Sequence, residues 1–178
     1  MNRYESQVRD NVARVRERIA AAAVRSGRRP EDVTLVAVTK MQSAEAVRAV
    51  LSAGVTDVGE NYVPEAEEKF RCVTFPTGAR RHLIGHLQGN KARRALDCFD
   101  VIQSVDSVRI ATRINTVAAE KGVVVPVLVE VKLCDEPEKT GVAPDALEDA
   151  LAEVLTLTNV RVDGLMGMAP FTDDETAV

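Results

Sequence analysis

Six short apolar runs, alternating with stretches of helical periodicity, constrain this chain more than any other feature of it. The clearest run is Val125–Val131, reading VPVLVEV, and Val33–Thr39 reads VTLVAVT. Runs so continuously apolar and β-branched suit strands covered on both faces. Further strands are expected at 56–59, 82–85, 100–103 and 161–168. Asn2–Ser26 carries Val8, Val12, Val15, Ile19 and Ala22 at helical spacing, and Gly27 ends it. Ser43 is expected to cap a helix bearing Val47, Val50 and Leu51, closed by Gly54, and another helix starts near Pro64. Asp106 is expected to cap the helix with Val108, Ile110, Ala111, Ile114 and Val117 that ends at Gly122. A last helix carries Leu147, Ala150, Leu151, Val154 and Leu155.

This alternation calls for a parallel sheet with right-handed crossovers, the α/β pattern of a TIM-type (β/α)8 barrel. The helix that precedes the first strand is a candidate cap over one end. A full barrel needs about 250 residues. At 178 residues the expectation is a single domain over 1–178 holding about six βα units and lacking the last two. Aromatic residues make up 3% and Trp is absent, so Val, Leu, Ile and Ala must fill the core. A net charge of -4 argues against a general nucleic-acid or anionic-membrane binder. No signal core and no membrane-length apolar run is present, so a cytoplasmic protein is expected. Cys72, Cys98 and Cys134 show no paired spacing and read as free thiols.

Barrel chemistry gathers at the C-terminal ends of strands. Those positions hold Lys40, Glu60 with Asn61, His86 with Gln88, Gln103 with Ser104, Lys132, and Met166 to Met168. Lys40 follows an apolar strand with no carboxylate beside it in sequence. An amine partly desolvated there would lose its proton more readily and become nucleophilic. A lysine simply facing solvent at a strand end is the other reading, and spacing alone favours it. His82 and His86 have the spacing of paired metal ligands on a helix, but a strand and turn are expected between them, which leaves His86 as a rim residue. Arg80, Arg81, Lys91, Arg93 and Arg94 read as a solvated helix start or a small anion contact. Glu65, Glu67 and Glu68 read as an exposed helix face, and Lys132 and Lys139 as flanks of a surface loop.

Four ordered motifs sharpen this: LVAVTK at 35–40, GENYVPEA at 59–66, HLIGHLQGNK at 82–91 and GLMGM at 164–168. Together they resemble the pyridoxal phosphate homeostasis protein family, which is similar to the N-terminal barrel of alanine racemase. The resemblance implies that Lys40 holds pyridoxal 5'-phosphate (PLP) reversibly as a Schiff base, the internal aldimine. It further implies that Asn61 lies beside the cofactor, that the segment with His86 shapes the rim, and that Met166 and its neighbours line the pocket floor. The implied role is intracellular vitamin B6 homeostasis, with apo PLP-dependent enzymes as possible recipients and no robust turnover. Family members continue through two more strands whose loops grip the phosphate. Their absence here makes a truncated chain the expectation, with weakened affinity, association through exposed strand edges, and a monomer only if complete. Two rival readings stand beside this one. An amino-acid racemase would need a second base, and Tyr4 and Tyr62 are the chain's two tyrosines. A truncated scaffold would bind no cofactor.

Overall fold

The computed structural model describes residues 3–133 and 140–169, as two compact units: Met1–Glu60 with Pro64–Arg81, and Asn61–Val63 with His82–Val178. Cys134 and Lys139 lie outside the described residues.

The first unit holds α1 (Arg3–Arg25), β1 (Val36–Val38), α2 (Ala44–Ser52), β2 (Asp57–Glu60) and most of α3 (Val63–Arg71). β1 and β2 pair in parallel, with Val36 opposite Asp57 and Val38 opposite Gly59. The core here is small: Val47 and Ala49 of α2, Val55 and Val58 around β2, and Ala66 and Phe70 of α3. Phe70 meets Phe75 edge to face at 5.1 Å, an arrangement favoured by the ring quadrupoles. Val8, Val12 and Ile19 of α1 are half-buried and Ala23 is buried, whereas Val15 and Ala22 are exposed. At about 100° per residue the buried face drifts round the helix, and these two fall on its trailing edge. Arg16 of α1 donates to the Gly54 carbonyl at 2.6 Å, just past the end of α2. With residues at the starts of β1 and β2, α1 lines a cavity of about 630 Å³, in keeping with a helix that caps strand N-termini.

β3 (Arg80–Leu83) divides between the units by residue, its last two belonging to the second. That unit continues with α4 (Ala92–Cys98), β4 (Val101–Val105), α5 (Val108–Lys121), β5 (Val125–Val131), α6 (Leu147–Val154) and β6 (Val160–Gly167). Each strand pairs in parallel with the next: His82 with Val101, Ile102 with Val127, and seven residues of β5 with β6, from Val125 opposite Val160 to Val131 opposite Gly167. α5 buries Ile110, Ala111, Ile114, Val117 and Ala118, and Ile102, Val105, Val127 and Val129 bury from the sheet. Each buried Ile or Val side chain among these contributes about 1.5–3 kcal/mol. Gly122 ends α5 at φ 67, where only glycine is free of strain.

Three expectations need correction. Ser107, not Asp106, caps α5, its hydroxyl accepting from the Ile110 N–H. The first strand is three residues long rather than seven. It is also not covered on both faces, since Val38 is 51% exposed. Among the described residues no helix is long and apolar enough to cross a membrane.

Candidate functional site

In the first unit, β1 and β2 end side by side and a buried ionic cluster joins them. Glu60, the last residue of β2, is fully buried. Its Oε1 accepts from the Thr39 hydroxyl and from Lys69 Nζ, both at 2.7 Å, while Oε2 has no partner among the described residues. Lys69 also donates to the Thr39 carbonyl at 2.7 Å and to Glu65 Oε1 at 3.0 Å. Three acceptors therefore occupy the three N–H bonds of this ammonium group. Glu65 Oε1 accepts in addition from the Met41 N–H at 2.7 Å. Burial alone would push the Glu65 carboxyl up. The hydrogen bond from Lys69, the Met41 N–H and the Lys69 charge outweigh it and hold the group below the ordinary carboxylate range. The expectation of an exposed face at Glu65, Glu67 and Glu68 is thus corrected at Glu65, which faces inward to Lys69 and Met41, and at Glu67, which is half-buried; Glu68 is exposed.

Lys40 lies between the two backbone groups this cluster grips. Its side chain is exposed and, among the described residues, has no hydrogen-bond or ion-pair partner. That corrects the expectation of a partly desolvated amine: Lys40 follows an edge strand whose last residue is itself open to solvent.

In the second unit, Asn61 and His86 line one cavity of about 230 Å³ together with Gly85, Gln88 and Lys91. A Cβ on Gly85 would lie 2.4 Å from the Asn61 carbonyl oxygen, so only glycine allows this approach. The exit of β3 is pinned from β4: the Ser104 hydroxyl donates to the Gly85 carbonyl at 2.6 Å, and the Gln103 amide meets His82 Nδ1 at 2.9 Å. His82 is buried, and His86 is exposed with Nδ1 at 2.8 Å from Asp106 Oδ2. Asp106 is thereby taken from the capping role its sequence position suggested. Among the described residues no group of three His, Cys, Asp or Glu could hold a metal.

Glu130, on β5, is a residue that the sequence did not single out. It is buried and lies opposite Met166 in register, and Met166 is half-buried and outside the Asn61–His86 cavity. Burial pushes the Glu130 carboxyl above its ordinary value; the Thr140 hydroxyl lowers it, Asp106 raises it and His86 lowers it by smaller amounts. The basic residues near β3 resolve into separate contacts: Arg80 with Asp57 at 2.8 Å, Arg81 over the Phe75 ring at 5.8 Å, and Arg93 with Glu120.

A family model described as alanine racemase, N-terminal domain, matches residues 6–178. The chain is 38% identical over 165 residues to the pyridoxal phosphate homeostasis protein of Escherichia coli, covering 92% of this chain and 70% of that one. A solved structure of an unknown protein from Bifidobacterium adolescentis superposes with a TM-score of 0.88 at 33% identity, over 100% of this chain and 76% of its own. PipY of Synechococcus elongatus, solved with PLP bound, superposes with a TM-score of 0.74 at 38% identity, over 86% and 72%.

Proposed function

The chain belongs to the pyridoxal phosphate homeostasis protein family, on the alanine racemase N-terminal fold, and from that membership we propose that it binds PLP and serves vitamin B6 homeostasis, holding the cofactor reversibly on Lys40. PLP supplies an aldehyde, which condenses with a primary amine and releases water. Lys40 Nζ is the proposed amine. It gives up its protons, gains a bond to the aldehyde carbon, and is regenerated when water or another amine displaces it.

One observation carries the assignment. Of the two lysines at this end of the first unit, Lys69 has its N–H groups committed to three acceptors, whereas Lys40 has no partner among the described residues. An amine held between carboxylates must break those contacts before it can reach a carbonyl carbon, whereas an exposed amine without a partner need break none. The donor set therefore fits an aldehyde ligand. Asn61, His86 and Met166 are the proposed further contacts. Asn61 offers an amide donor and acceptor, and Met166 an apolar surface. His86 keeps Nε2 available because Nδ1 is engaged by Asp106.

The role proposed is storage and release to apo PLP-dependent enzymes rather than racemisation, in keeping with relatives named pyridoxal phosphate homeostasis protein. Titration with PLP followed by absorbance tests the reading. A saturable shift of the cofactor band is expected in the native chain and is lost in Lys40→Ala. An unchanged shift in that variant contradicts the assignment, and conversion of L-alanine to D-alanine contradicts the storage role.

A further inference from the structure

We propose that the buried Thr39–Glu60–Glu65–Lys69 cluster is a positioning device for Lys40, fixing the backbone on both sides of it so that its amine meets the aldehyde in one orientation. This inference rests on the attachment of PLP at Lys40 put forward above.

Residues 39–42 form a tight turn, the Gln42 N–H donating to the Thr39 carbonyl at 3.0 Å. Lys40 occupies the second position of that turn and Met41 the third, at φ 60. Turns with a positive φ there ordinarily place glycine or asparagine in that position. A methionine in this conformation is strained and persists only where its surroundings over-determine it. The cluster supplies that restraint at three points. Glu60 holds the Thr39 hydroxyl, Lys69 holds the Thr39 carbonyl, and Glu65 holds the Met41 N–H. The restraint is stiff because Glu60 and Lys69 are buried and share one ion pair at 2.7 Å. In contrast, the residue in the middle is left free beyond its backbone. An exposed lysine on a loose turn samples many directions, and the fraction of these that can reach a bound aldehyde sets the rate of attachment. Among the described residues no member of the cluster bonds to Lys40 Nζ, so its members are positioning residues.

The test uses the full chain and measures two rates at Lys40 by mass spectrometry. One is attachment of PLP, trapped by borohydride. The other is acetylation by acetic anhydride, which needs an accessible amine but no orientation. In Glu65→Ala, attachment should fall about tenfold, the worth of lost positioning hydrogen bonds, while acetylation of Lys40 stays within about twofold of native. Glu65→Gln retains an oxygen that can accept from the Met41 N–H, and should recover most of the attachment rate. Acetylation of Lys69 in the native chain should be far slower than that of Lys40. Thr39→Val, which deletes a single hydroxyl from the cluster, replaces Glu65→Ala if that variant does not fold, and the same split is expected. Attachment at the native rate in the folded variant overturns the positioning role and leaves the Lys40 assignment standing. A native chain that is acetylated at Lys40 but never takes PLP there overturns both.

Discussion

Lys40 and Lys69 show how two identical side chains acquire opposite chemistry from their surroundings. Lys69 is 8% exposed and tied to Glu60 and Glu65, and Lys40 is exposed and unengaged. The sequence could point to Lys40, because a lysine ending an apolar strand is visible in one dimension. It could not point to the cluster, whose members at 39, 60, 65 and 69 come from two strand ends and a helix and are joined only by the fold. Glu130 was missed for the same reason: it reads as one polar residue within a buried strand, and its environment comes from Asp106, His86 and Thr140. Its raised pKa has a defined consequence. A carboxyl that binds its proton more tightly when folded gives stability that is complete below the unfolded pKa, about 4.3, and is lost as pH rises through the folded value. Glu130→Gln, which keeps an oxygen for Thr140, should therefore raise the thermal midpoint at pH 8 and change it little at pH 4. An equal effect at both values would show that the carboxyl's charge is not what destabilises. Glu65 has the opposite sign. Its lowered pKa stabilises above the ordinary carboxylate range, and that contribution fades as pH falls through the folded value.

At the level of elements, legibility followed burial. β5 spans Val125–Val131, as its largely apolar run predicts, and it is flanked in the sheet by β4 and β6. Among the described residues β1 and β6 each have one strand neighbour, and there the apolar pattern misleads. β1 is shorter than its run, and β6 alternates, leaving Leu165 53% exposed beside the half-buried Met166. Apolar content reports what a strand can bury, while its neighbours decide what it does bury. The β3 exit shows the reverse case, a local detail with long reach. Gly85 reads as an ordinary turn glycine, yet its missing Cβ lets the backbone of Asn61 approach. Gly85→Ala should cost about 1–3 kcal/mol and displace Asn61, lowering the thermal midpoint and weakening PLP binding together. A variant that loses neither would mean that the contact is relieved at no cost.

For the whole molecule, the βα order was legible because it rests on periodicity, which is a property of the chain itself. Its association state depends on surfaces, which are not. Among the described residues β1 and β6 each present one unpaired edge, and Val38, Leu165 and Met168 are more than half exposed nearby in their own units. Unprotected edges of this kind recruit further strands. Light scattering should accordingly show association that grows with concentration and is reduced by Leu165→Lys. A monodisperse monomer across the concentration range would contradict this. The account as a whole turns on a single nitrogen. Incubation of the chain with PLP, reduction by borohydride and peptide mapping should find the cofactor on Lys40, with Lys69 unmodified. A label spread over exposed lysines, or one that persists undiminished in Lys40→Ala, would contradict it.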